Sequence, residues 1–181
     1  MKVTKTHLEG CFVLEPMVFE DHRGYFFESF NQQKFQDVIG GSIHFVQDNE
    51  SLSSKGVLRG LHYQKGEYAQ AKLVRVVKGE VLDVAVDLRP SSATYGKHFS
   101  VKLSDANKKQ FFVPKGFAHG FVVLSDTAIF SYKCDNYYNK ESEAGIIYND
   151  PYLDIDWILP HNELRLSNKD LVLPKFKDHL L

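Results

Sequence analysis

Short apolar runs of strand length, separated by turn signals, recur at 11–14, 24–30, 72–77, 80–88, 97–103, 110–113, 121–124 and 127–135. Runs this short, bounded by Gly, Pro, Asn, Asp and Ser, predict strands. Lys78-Gly79 between two of them predicts a tight hairpin, and Arg89-Pro90-Ser91-Ser92 and Ser104-Asp105-Ala106-Asn107 predict longer turns. Strands joined so closely pair antiparallel. Helical patterning is confined to 32–38 and to the C-terminal stretch 160–166, too little for a parallel α/β sheet. The expected fold is therefore mainly β: a sandwich, a jelly roll or a small barrel with few short helices.

With 181 residues, 43% of them hydrophobic, the chain can bury one full core, and the expectation is a single domain over residues 1–181. Asn149-Asp150-Pro151 opens an irregular stretch whose Tyr152, Leu153, Ile155, Trp157 and Ile158 are apolar enough to pack back on the β core. The formal net charge of −1 lacks the basic excess of a nucleic-acid binder, so any anion must be met by a local cluster of Arg and Lys, and a small ligand is expected. Cys11 and Cys134 are too few for a disulfide framework and are not spaced as zinc ligands. No apolar leader and no run of membrane-spanning length occurs, so a soluble cytoplasmic protein with no membrane partner is expected.

Candidate chemistry concentrates in Gly56-Val57-Leu58-Arg59-Gly60-Leu61-His62-Tyr63-Gln64 and Pro114-Lys115-Gly116-Phe117-Ala118-His119-Gly120. Arg59 and His62 set a phosphate-compatible cation three residues from a group that carries protons near neutral pH. Each candidate also has a plain structural reading. His62 and His119 fit satisfied structural histidines, Tyr132 a core aromatic, and Asp170 a turn residue. Lys72 shares a strand face with Val74 and Val76; if that face is inward, Lys72 is a cation in an apolar cavity. Lysine is almost never buried without a partner, which by itself favours the solvated reading. Tyr137 and Tyr138 lie in an Asn-rich stretch where exposed aromatics point to a binding surface.

The two glycine-rich segments resemble the signature motifs of the cupin superfamily, whose metal-binding members use His-x-His, a Glu and a later His. Here His62-Tyr63-Gln64 replaces the first pair, and Glu67 with His119 leaves a weakened ligand set, so no metal is expected. No nucleophile elbow, Walker loop or dinucleotide fingerprint occurs either.

A narrower resemblance covers essentially the whole chain. It is carried by Phe19-Glu20-Asp21-His22-Arg23-Gly24-Tyr25-Phe26-Phe27-Glu28, Gln47-Asp48-Asn49-Glu50-Ser51, the two glycine-rich segments, residues 72–89, Tyr132 with Tyr138, and Ser167-Asn168-Lys169-Asp170. In these the chain resembles the dTDP-4-dehydrorhamnose 3,5-epimerases, cofactor-independent dimeric enzymes with a cupin-type jelly-roll β-barrel. The resemblance implies a dTDP-sugar substrate, a homodimer, His62 as general base with Asp170 as its dyad partner, Tyr132 as general acid, and Lys72 as the enolate stabiliser. It further implies that Arg59, His119, Arg23 and Lys169 hold the diphosphate and sugar. Gln47, Asn49 and Glu28 would hold the nucleoside, Glu143 another part of the ligand, and Phe19 and Tyr138 the thymine face. A single-carbon epimerase or a 3,4-ketoisomerase is the nearest alternative; a metal-dependent cupin enzyme and a non-catalytic sugar-nucleotide binder are further ones.

Overall fold

A computed structural model describes residues 1–41 and 43–179, and these described residues form thirteen strands and one α-helix. In order they are β1 (Lys2–Lys5), β2 (Phe12–Glu15), β3 (Val18–Asp21), β4 (Gly24–Phe27), α1 (Gln32–Ile39), β5 (Gln47–Ser54), β6 (Leu58–Gln64), β7 (Lys72–Lys78), β8 (Glu80–Asp87), β9 (His98–Ser104), β10 (Gln110–Val113), β11 (Phe117–Val123), β12 (Thr127–Cys134) and β13 (Glu143–Gly145). One sheet runs β1-β2-β10-β7-β12-β5 and a second β13-β6-β11-β8-β9, while β3 and β4 form a separate ribbon. Every named strand pairing is antiparallel.

The two large sheets close on each other over one apolar core. Val13, Val74, Val76, Phe111 and Phe130 of the first sheet meet Val81, Ala85, Leu103, Phe117, Phe121 and Val123 of the second. Phe121 and Phe130 stack across the divide with centroids 4.1 Å apart, and burial of each such side chain contributes roughly 1.5–3 kcal/mol. This double-sheet arrangement is mainly β, as the strand pattern predicts, and of the jelly-roll type that the resemblance implies.

β8 is apolar almost without interruption because both of its faces are covered. Val81 and Ala85 look into the core, whereas Leu82, Val84, Val86 and Leu88 pack under a C-terminal layer containing Leu153, Trp157 and Phe176. That layer is the irregular stretch expected to fold back on the β core. On the opposite side α1, capped by Asn31 whose side chain accepts from the Lys34 backbone N–H at 3.1 Å, lays Phe35 on Leu14, Leu73 and Phe112.

Three local expectations are corrected. Lys78-Gly79 is not a hairpin within one sheet: β7 and β8 belong to different sheets, and the turn carries the chain over the edge between them. Gly79, at φ 82°, passes so close to Thr127 that a Cβ would lie 2.1 Å from its carbonyl oxygen. The 160–166 helix reduces to a single 3₁₀ turn, His161–Glu163, because the chain then extends beside Val57, with the Arg165 N–H donating to Gly56 and the Leu58 N–H to Arg165. The strand expected from 121 begins at Phe117, directly after the Lys115-Gly116 turn, so His119 lies inside a strand. Among the described residues no helix is long and apolar enough to cross a membrane.

Candidate active site

β6 and β11 lie side by side with His62 directly opposite His119, which puts both imidazoles on one face of the sheet. The pairing slips between His119 and Phe121, and Gly60 and Gly120 allow it. A Cβ on Gly60 would stand 2.6 Å from the Gly120 Cα, and one on Gly120 2.7 Å from the Arg59 carbonyl oxygen. The glycines of the motif thus admit close backbone approach, and the approach seats the histidines.

Both rings border a cavity of about 500 Å³, together with Ser51, Arg59, Lys72, Phe121, Phe130, Tyr132, Arg165, Lys169 and Asp170. His62, half-buried, is tied at Nε2 to Asp170 Oδ1 at 2.6 Å. Burial pushes the Asp170 carboxyl up, but the hydrogen bond and charge of His62, the Ser167 hydroxyl and the Gly60 backbone outweigh it and hold the group below the usual carboxylate range. An ionised Asp170 only accepts, so His62 donates from Nε2, and Nδ1 is left to take a proton. His119 is tied at its own Nε2 to both oxygens of Asp83, at 2.9 and 3.0 Å.

The facing wall comes from the other sheet. Val74 and Val76 are core residues, so Lys72 on the same face of β7 turns inward and borders the cavity, against the solvated reading. Burial lowers its pKa, opposed by Cys134, Asp83 and Glu143. Tyr132, on the inner face of β12, packs on the core beside Phe130, and burial chiefly raises its phenol above the ordinary value of 10. A base and a protonated phenol therefore occupy opposite walls, with a cation in the same cavity. Among the described residues none of Lys72, Arg59 and Arg165 meets a carboxylate at ion-pair distance. Arg59 donates from Nε to the Ser53 hydroxyl at 3.1 Å.

At the rim Lys169 is paired with Glu143, and Glu143 accepts from the Tyr138 hydroxyl at 2.9 Å. Burial raises the Glu143 carboxyl, and its bonds from Lys169 and Tyr138 more than reverse that. Gln47 accepts from the Tyr138 backbone N–H at 3.1 Å and donates to Asn49 at 3.1 Å, while Asn49 lies opposite Tyr132 in the β5–β12 pairing. Tyr138 is exposed. Of the sequence-predicted residues, the fold thus gathers His62, Lys72, Arg59, His119, Tyr132, Lys169 and Asp170 around one cavity, with Glu143 and Tyr138 linked to Lys169.

Three others are not brought there. Phe19 and Arg23 sit on the exposed β3–β4 ribbon, where Arg23 pairs with Asp21 at 2.6 Å, and Glu28 follows it, paired with Lys34 at 2.9 Å. Glu67 lies exposed on the 3₁₀ turn Gly66–Tyr68, away from the cavity lining, and the described residues contain no group of three or more His, Cys, Asp or Glu suited to a metal. Sequence reasoning missed Asp83, Ser51, Ser53 and Arg165. Asp83 carried a legible signal, a lone charge inside the apolar run Val81-Leu82-Asp83-Val84-Ala85-Val86.

The model of the dTDP-4-dehydrorhamnose 3,5-epimerase family matches residues 5–178, a span that includes every residue bordering the cavity. The chain belongs to this family. It is 58% identical to the dTDP-4-dehydrorhamnose 3,5-epimerase of Escherichia coli strain K12 over 171 residues, 94% of this chain and 91% of the relative. The crystal structure of the Elizabethkingia anophelis dTDP-4-dehydrorhamnose 3,5-epimerase superposes with a TM-score of 0.95 at 60% identity, covering 98% of this chain and 97% of that one. A Legionella pneumophila dTDP-6-deoxy-D-glucose-3,5-epimerase, solved in complex with dTDP-4-keto-L-rhamnose, gives 0.94 at 48% identity, covering 98% and 93%.

Proposed function

We infer that the protein is a dTDP-4-dehydrorhamnose 3,5-epimerase, converting dTDP-4-dehydro-6-deoxy-D-glucose into dTDP-4-dehydro-L-rhamnose. The observation that carries the reading is the His62–Asp170 dyad facing Tyr132 across a cavity that also holds Lys72. Epimerising a carbon beside a ketone removes a weakly acidic C–H proton and returns one to the opposite face, so a base and an acid must flank the ring.

His62 takes the proton of the carbon next to the 4-ketone, and the C–H electron pair moves onto the carbonyl oxygen as an enolate. Lys72, drawn inward beside Val74 and Val76, meets that developing charge, where a preplaced cation is worth more than in bulk solvent. Tyr132 then donates its proton to the opposite face of the carbon, the enolate collapses back to the ketone, and solvent exchange resets His62 and Tyr132. A second round on the other flanking carbon completes the conversion. Protons alone move, so the reaction requires no redox cofactor.

Arg59, with Arg165, Lys169 and His119, is suited to the diphosphate and sugar; Gln47, Asn49 and Tyr138 at the rim suit the nucleoside. Phe19, Arg23 and Glu28 fit as residues lent by a second copy of the chain in a homodimer, because the β3–β4 ribbon exposes Phe19 and Phe26 and leaves its own cavity unserved. Mixing a Phe19→Ala/Arg23→Ala chain with a His62→Ala chain tests this. Heterodimers regain activity if the ribbon is lent, and mixtures no better than either parent after verified exchange make the sites self-contained.

The function itself is tested with the dTDP-4-keto sugar in deuterated water, reading label position by NMR. Deuterium at both flanking carbons is expected from the native protein, and none from His62→Ala, whose affinity for dTDP stays within about twofold because the imidazole handles protons and the nucleotide is held elsewhere. Label at one carbon alone would make the protein a single-carbon epimerase; substantial exchange by His62→Ala would assign the base to another residue.

A further inference from the structure

The resemblance groups His119 with the substrate-holding residues, and beneath its ring lies a buried carboxylate, Asp83. Asp83 is fully buried on the inner face of β8, whose neighbouring inward residues are Val81 and Ala85. A carboxylate placed there is costly unless its oxygens are met. Both oxygens are met by the same atom, His119 Nε2, at 2.9 and 3.0 Å, and no other side chain or backbone group is bonded to them among the described residues. Asp170 is different, since it also engages Ser167 and the Gly60 backbone. Asp83 therefore has one hydrogen-bonding task in the fold, and that task is His119.

We propose that Asp83 is a positioning residue for this active site: by holding His119 at Nε2 it fixes the ring so that Nδ1 is the atom presented to the sugar. This rests on the epimerase reading for the identity of the ligand. The imidazole otherwise has two tautomers and a flip available, and only one of those states offers Nδ1 with a defined role. A carboxylate accepts and never donates while ionised, so it selects the Nε2–H form, as an orienting aspartate does in a nucleophile triad. The adjacent β6–β11 register then places this oriented ring opposite His62, on the same sheet face.

Asp83→Asn keeps the volume but replaces an obligate acceptor with an amide that can also donate, which frees the other tautomer. In ¹⁵N–¹H spectra of the native apoprotein, His119 is expected to carry its proton on Nε2; in Asp83→Asn that signature is expected to be lost or mixed with the Nδ1–H form. Epimerase kcat should fall on the order of 100-fold, the cost of a sugar-positioning group displaced by about 1 Å, with dTDP affinity by calorimetry within about twofold because the oriented Nδ1 meets the sugar. The decisive measurement is the cycle Asp83→Asn, His119→Gln and the double variant. If Asp83 acts through His119 the double variant is no slower than His119→Gln alone, whereas a purely structural role gives losses that multiply. Multiplying losses, or an Nδ1–H tautomer in the native protein, overturns the proposal. The tautomer is read without substrate, so a wrong substrate assignment would show as inactive native protein with the Nε2–H signal intact.

Discussion

His62 and His119 stand opposite each other in the β6–β11 pairing, and each is held at Nε2 by a carboxylate from a different part of the chain. Asp170 arrives from the C-terminal layer, 108 residues away, and leaves His62 half-exposed to the cavity; Asp83 arrives from the neighbouring strand, 36 residues away, and its His119 is buried. The same pair of residue types thus occurs twice with different access to a ligand, which is what separates a proton-transferring ring from a holding one.

Tyr132→Phe removes the phenol proton and little else, since the ring keeps its packing beside Phe130. Wash-in of solvent deuterium into the keto sugar should survive better than inverted product, because His62 still removes protons while the opposite face lacks its donor. Parallel loss of exchange and product formation would refute the division of labour.

Lys72→Arg is expected to move the alkaline limb of the rate profile upward. Burial disfavours the charged ammonium, so Lys72 sheds its proton below its ordinary 10.5, and the activity that needs the cation falls over the same window. Tyr132 is shifted the other way, above 10, and its phenol bounds the limb that remains once Lys72 is replaced. A guanidinium keeps its charge throughout. The variant should therefore be slower at neutral pH, by roughly 10- to 100-fold for a displaced charge, yet fail at higher pH; an unchanged limb would remove Lys72 from the profile.

Arg59→Ala and Arg165→Ala should each weaken dTDP binding about tenfold, the worth of one charge-assisted contact, with the loss shrinking as salt is raised. Thymidine, which lacks the phosphates, should bind all three proteins within about twofold. Calorimetry that finds dTDP affinity unchanged in both variants would move the diphosphate elsewhere.

Asp87 gives a stability prediction independent of the site. Fully buried at the end of β8, it accepts from Arg89 Nη2 at 2.7 Å and from the Ser92 and Thr94 hydroxyls at 2.6 Å each. Burial raises its carboxyl, but these bonds prevail and lower it from 3.8 to about 2. A folded-state value below the unfolded one adds stability above pH 3.8, and that stability drains away as pH falls towards 2. Asp87→Asn should cost roughly 2–4 kcal/mol in urea unfolding at pH 7, with the gap narrowing across that acidic window. A constant gap down to pH 2 would contradict the assigned ionisation.

The chain's local pattern was enough to mark β7, β8, β10 and β12, because each presents apolar side chains to a core and strand periodicity records that directly. It was silent on β5, Gln47–Ser54. That strand is at the edge of its sheet, with Gln47, Asn49, Ser51 and Ser53 less exposed than Asp48, Glu50, Leu52 and Ser54 on the other face. A strand whose inner face meets a ligand cavity has no reason to alternate apolar with polar. The whole-chain resemblance to a family likewise named His62, Tyr132, Lys72 and Asp170 before any geometry was known. Which face of β7 turns inward, that Lys78-Gly79 bridges two sheets, that Asp83 sits under His119, and that Arg165 joins Arg59 at the cavity were decided by tertiary structure alone. Periodicity sorts side chains between the two faces of one strand; which face is buried, and which distant strand lies beside it, depends on packing between segments far apart in sequence.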